Sequence, residues 1–231
     1  MSGGVPLPPV SPVSTGVIAD PKLARGWRAS KVEDSLKNHN TSELIQFLRR
    51  RFNERFFRPI SVLRTASGNE QGYGFAIMAL CSLLVETIQC YRLGLPSTYS
   101  GDLSNLSRYN PPAEYDVPLN ERKINGCKVF KAFFVADVKR FPNINGGRFY
   151  QGIRNGLLHQ AQTRDGWQIN TRRSELCNPK KKIIDRDRFA KALEDAFEGY
   201  LEVLQQHKWV DDIWQKAARK IWWLIRLLSP A

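Results

Sequence analysis

The sequence predicts a mainly α-helical bundle with a small β-hairpin and an extra amphipathic helix at its C-terminal end. Three observations carry this. Apolar residues recur at three- and four-residue spacing through several long windows, and one window of about 25 residues is apolar on almost every side. Only one stretch, Trp167–Thr171, alternates as a half-buried strand does. Of 231 residues, 42% are hydrophobic and 25% charged, the balance of an ordinary folded chain, which excludes full disorder.

Residues 1–20 combine four prolines with Ser and Gly and carry almost no charge, so a flexible tail is expected, extending through 1–40. A bundle is expected over 41–208. Its first helix starts at Thr41-Ser42-Glu43, where a hydroxyl can cap, and continues through Leu44, Ile45, Phe47, Leu48, Phe52 and Phe56 until Pro59 closes it. The next runs from about Asn69 to Leu93. It is apolar nearly all round, so it belongs at the centre of the bundle, and Gly94 and Pro96 end it. Its one central charge is Glu86. Residues 97–125, rich in Ser, Asn, Pro and Tyr, read as a long loop.

A short helix follows over Val129–Val138, stopped by Pro142 and the turn Asn143-Ile144-Asn145-Gly146-Gly147, and then a helix over 148–163. Trp167–Thr171 is one arm of the small hairpin, and 172–182 is a basic loop carrying Arg172, Arg173, Lys180, Lys181 and Lys182. Helices are expected at about 186–206 and 209–228. The last, in the segment 209–231, shows a broad apolar face from Trp209 to Leu228 that packs on the bundle or forms a dimer interface. Its Trp-plus-basic composition also suits a membrane surface, ranked second.

The formal charge of +13 points to a polyanionic partner. No run of 18 apolar residues predicts a membrane span, and the start has neither the basic nor the apolar region of a secretory signal, so a cytoplasmic location is expected. Cys81, Cys90, Cys127 and Cys177 lie too far apart for a disulfide framework or a zinc ribbon, and Cys81 and Cys90 read as core residues. The glycine pairs lack the flanking residues of a phosphate-binding loop, and no nucleophile elbow is present.

The segment with chemistry is Phe149–Gln160. At 100° per residue, Arg148, Gln151, Asn155, His159 and Gln162 share one face, Phe149, Ile153 and Leu157 the other, and Arg154 lies beside the polar stripe. An imidazole near its titration point can move a proton to or from a hydroxyl, a guanidinium can stabilise charge on phosphoryl oxygens, and Asn can orient either. This set suits phosphodiester chemistry without a metal. No cofactor and no metal site is expected, because His39 and His207 lie far from His159 in sequence. Glu86 either holds Arg154 or another cation of the site, or faces solvent at the bundle edge.

Arg154-Asn155-Gly156-Leu157-Leu158-His159 resembles the motif of the HEPN superfamily (higher eukaryotes and prokaryotes nucleotide-binding): an Arg, a polar residue, and a His after four to six intervening positions. The resemblance implies an up-and-down helical bundle with the motif on a late helix. It implies a metal-independent endoribonuclease that cleaves by 2′-hydroxyl transesterification, works as a homodimer with two facing motifs, and serves a toxin or antiviral defence role under a protein regulator. His159 would transfer protons, Arg154 stabilise the phosphate and Asn155 orient them. RNA would lie along Arg148, Gln151, Arg172, Arg173 and Lys180–Lys182. The tail, the 97–125 loop and the C-terminal helix lie outside the resemblance. The alternative is a non-catalytic helical module that binds nucleic acid, a protein partner or a membrane surface.

Overall fold

A computed structural model describes residues 20–66, 73–97, 112–116 and 124–226 of the protein. The tail over 1–19, the start of the second expected helix, most of the 97–125 loop and the last residues of the C-terminal helix lie outside the described residues. The architecture is a mainly helical bundle with little sheet. In chain order it comprises β1 (Lys22–Ala24), β2 (Trp27–Arg28), α1 (Ala29–Lys37), α2 (Thr41–Phe52), a π-helical turn (Asn53–Phe57) and α3 (Arg58–Ala66). Then come α4 (Tyr73–Leu93), a 3₁₀ turn (Ala113–Tyr115), α5 (Gly126–Ala136), α6 (Gly146–Phe149), a second π turn (Tyr150–Arg154) and α7 (Asn155–Gln160). The chain closes with β3 (Gln168–Asn170), β4 (Cys177–Asn178), β5 (Ile183–Asp185), α8 (Arg186–Gln206) and α9 (Asp212–Arg226).

α4 is the central helix. It packs against α3, α5, α8 and α9 and reaches α7, and its Ile77, Met78, Cys81, Leu84, Val85 and Ile88 are fully enclosed. By length and composition alone it could cross a membrane, contrary to the expectation that no stretch qualifies; its polar residues, among them Ser82, Glu86 and Gln89, are too few to bring the mean hydropathy of its most apolar window below 1.5, and just over half of that window is buried in the bundle. It ends as the sequence predicts. Gly94, at φ +68°, lets its own N–H reach Tyr91 O and that of Leu95 reach Cys90 O, while Leu95 packs on Cys90. A cluster of Phe130, Phe134, Phe141, Phe149 and Phe189 locks α5, α6 and α8 together, with Phe149 and Phe189 stacked at 5.1 Å.

Several expectations are corrected. Order begins well before Thr41: β1 and β2 form a hairpin and α1 packs on α2 and α9, because Leu23, Trp27, Val32 and Leu36 supply an apolar face that joins the core. The cap of α2 is Asn40, whose side chain accepts from Glu43 N, and not Thr41. Pro59 does not stop the helix. The π turn before it, with Arg58 N bonded to Asn53 O, re-registers the backbone so that a residue without an N–H is tolerated in α3. The strand at 168–170 is not a hairpin arm. It pairs parallel with β5, while β4 pairs antiparallel with the other edge of β5. α9 starts at Asp212, after a turn in which Lys208 N bonds Asp211 Oδ2. Its apolar face is spent on the bundle: Trp214, Ala217, Ile221, Trp223 and Ile225 are buried, and Trp214 Nε1 donates to Leu204 O.

Candidate functional site

The segment from Gly146 to Gln160 is anchored before its polar groups are placed. Asn145 caps it by accepting from Arg148 N. Phe149, Ile153 and Leu157 are buried, as their spacing predicts. The helix is not regular, however. Asn155 N donates to Tyr150 O, five residues back, so Tyr150–Arg154 is a wide turn. Within this turn Gly152 O accepts from Arg164 N at 2.7 Å, and the chain folds back over two glycines. A Cβ at Gly152 would lie 2.6 Å from the Trp167 ring, and one at Gly156 2.3 Å from Gln162 O.

This turn redistributes the predicted polar face. Asn155 and His159 lie one α-turn apart on α7 and share a face. Arg148 and Gln151, exposed, precede or lie inside the wide turn, so the 100° register that would align them with Asn155 and His159 is broken. His159 is exposed, and its imidazole makes no hydrogen bond to the described residues. Arg154 is the best-fixed member. Its Nε donates to Glu86 Oε1 at 2.6 Å, its Nη1 donates to Asn155 Oδ1 at 3.1 Å, and its guanidinium lies 5.3 Å from the Tyr150 ring centroid. Glu86 is 8% exposed, so of the two positions considered for it the buried one is observed. A carboxylate at this depth aligns a guanidinium strongly, because little water competes for either.

The basic loop is bound in place by its backbone rather than by its charges. Arg173 N donates to the buried Asp185 carboxylate, and Arg188 Nε donates to Arg173 O. The side chains of Arg172, Arg173, Lys180, Lys181 and Lys182 are exposed, with Lys182 Nζ on Asp165 O. Sequence reasoning missed Tyr150, whose position four before Arg154 was the available signal, and Gly152 and Trp167, which shape the wide turn. Among the described residues no group of three or more His, Cys, Asp or Glu could hold a metal ion. All four cysteines are free, and burial pushes the thiols of Cys90 and Cys177 up to about 11.

Compared with protein-family models, curated proteins and solved structures, the chain shows no significant match.

Proposed function

We propose that the protein is a metal-independent endoribonuclease of HEPN type that acts as a homodimer. The observation that carries this reading is the Arg154 guanidinium, held by Glu86 and Asn155 and followed one turn beyond Asn155 by the exposed His159. A guanidinium so fixed costs no reorganisation when charge builds on a phosphoryl group, and the exposed imidazole is accessible to a substrate hydroxyl. In the proposed step His159 takes the 2′-hydroxyl proton, the 2′-oxygen bonds to phosphorus and the bond to the 5′-oxygen breaks. The same histidine of a second copy returns a proton to that leaving oxygen. The products are a 2′,3′-cyclic phosphate and a 5′-hydroxyl end. Arg172, Arg173 and Lys180–Lys182 would hold the strand through its phosphates, and a cytoplasmic defence role under a protein regulator is consistent with such an activity.

The test is incubation of mixed RNA with the protein in excess chelator, beside His159→Ala. Cleavage to cyclic-phosphate ends that His159→Ala lacks supports the reading. RNA left intact, cleavage unchanged in His159→Ala, or activity lost to chelator and restored by Mg²⁺ overturns it. Intact RNA that is nevertheless bound favours the non-catalytic module.

A further inference from the structure

The N-terminal hairpin, which the proposed cleavage step does not use, gathers cations in a way that costs the fold stability. Lys22 and Arg28 stand directly opposite each other in the β1–β2 register, and like charges so placed repel. Arg28 is also the N-cap of α1 and makes no side-chain cap bond, while the first turn of α1 contains Lys31 and no acidic residue. The carboxylate that a helix favours at this end is Asp20, which accepts from Ser30 N while Ala29 N donates to Pro21 O, so it is the cations and not the helix end that stand in excess. The three cations converge on a cleft of about 340 Å³ lined with Gly26, Trp27 and Ser30. Lys31 Nζ is held 4.2 Å over the Trp27 ring. The carboxylate at the edge, Asp20, is taken by Ser30, whose Oγ and N donate to it at 2.6 and 3.0 Å; Arg28 Nη1 reaches only the Asp20 carbonyl. Arg25 is engaged with Glu54 and stands outside the set.

We propose that this cleft is a second phosphodiester site, which holds the backbone of single-stranded RNA away from the Arg154–His159 helix. It rests on RNA being the partner, as proposed above, but not on cleavage. The ligand is assigned by what the cleft offers. Three cations against one committed carboxylate call for an anion. Trp27, 8% exposed, has no face left for a base to stack on, so recognition is of phosphates and independent of sequence. A membrane surface fits less well, because the described residues from 20 to 40 expose no large hydrophobic side chain to add insertion to the attraction of their charges.

The test uses the full chain in a His159→Ala background, so that cleavage does not obscure binding. The variant is Lys22→Gln/Lys31→Gln, with Arg28 kept because it ties the hairpin to Asp20. The control, Lys37→Gln/Lys191→Gln, removes the same charge from two lysines already paired with acids. Binding of a short labelled single-stranded RNA is followed against salt. Loss of two contacts should flatten the slope of log K against log salt by about 1.4, at about 0.7 per phosphate, and weaken binding about tenfold at low salt. The control should keep the slope. Equal effects in variant and control, an unchanged slope, absence of RNA binding by the parent, or loss of binding to phosphatidylglycerol vesicles with RNA binding intact would each overturn the proposal. A wild-type protein that binds RNA here but never cleaves it overturns the ribonuclease reading alone.

Discussion

Glu86 and Arg154 stand 68 positions apart in the chain and meet at 2.6 Å, one from the central helix and the other from the end of the wide turn. The pair joins the central helix to the segment that carries Asn155 and His159. Both side chains are largely enclosed, at 11% and 18% exposure, so the contact belongs to the folded core as much as to the site.

The first prediction follows from that enclosure. Removing one partner of a buried ion pair typically costs about 3–5 kcal/mol, because the other charge stays behind. Arg154→Ala should therefore destabilise the fold as well as any activity, and Glu86→Gln should do so less. Urea unfolding of both singles and the double should give a coupling energy of about 0.5–3 kcal/mol. Additive effects would show that the two residues do not act together.

His159 should separate from Arg154 in the same assays. Its side chain is exposed, so His159→Ala should shift stability by under ~0.5 kcal/mol. As a proton-transfer group it should cost a factor of about 10²–10⁴ in cleavage. RNA affinity should persist, since the cations supply it. A cleavage loss matched by a lowered thermal midpoint would count against a chemical role.

Where sequence spacing alone decides burial, the structure was legible. Phe149, Ile153 and Leu157 lie on the buried side, the helix over 186–206 has the predicted bounds, and Gly94 closes α4. What escaped depends on contacts between distant segments. The wide turn at Tyr150–Arg154, whose Gly152 O accepts from Arg164 N, interrupts the uniform 100° rotation on which the grouping of Arg148 and Gln151 with Asn155 rests. The parallel pairing of β3 with β5 is likewise invisible to alternation, which gives a strand but not its partner. Residues 22–37 were missed because Leu23, Trp27, Val32 and Leu36 are spread among charges and find apolar neighbours on α2 and, far along the chain, on α9.

The turn itself can be tested through its glycines. Gly→Ala in a helix normally gains about 0.5–1 kcal/mol. At Gly156 the added carbon would meet the Gln162 carbonyl at 2.3 Å, a backbone atom that cannot swing away, and at Gly152 it would meet the Trp167 ring at 2.6 Å. Both substitutions should reverse the usual sign and cost about 1–3 kcal/mol, with Gly156→Ala the worse. Trp167→Ala should relieve Gly152→Ala but not Gly156→Ala. Stabilisation by either alanine would contradict the close approach.

The last prediction concerns alkaline pH. Burial pushes the Cys90 thiol from 9.0 up to about 11 and the Tyr91 hydroxyl from 10.0 up to about 12. Both groups lose a proton on ionising, so between the unfolded and folded values the unfolded chain has released protons that the folded one retains. Stability then falls as pH rises. The contribution is whole below about pH 9 and is lost progressively up to about pH 12, when both groups ionise in the folded protein too. Cys90 alone should account for roughly 2–3 kcal/mol of that loss, at 1.36 kcal/mol per pKa unit. Cys90→Ala removes the titrating thiol while keeping a small apolar group at its position beside Leu95. Urea midpoints of the wild type and Cys90→Ala from pH 8 to pH 11 provide the measurement. The wild type should lose more stability across that range than the variant, although the variant starts lower for want of the buried sulfur. Parallel curves would mean that the Cys90 thiol ionises in the folded protein as readily as in the unfolded one.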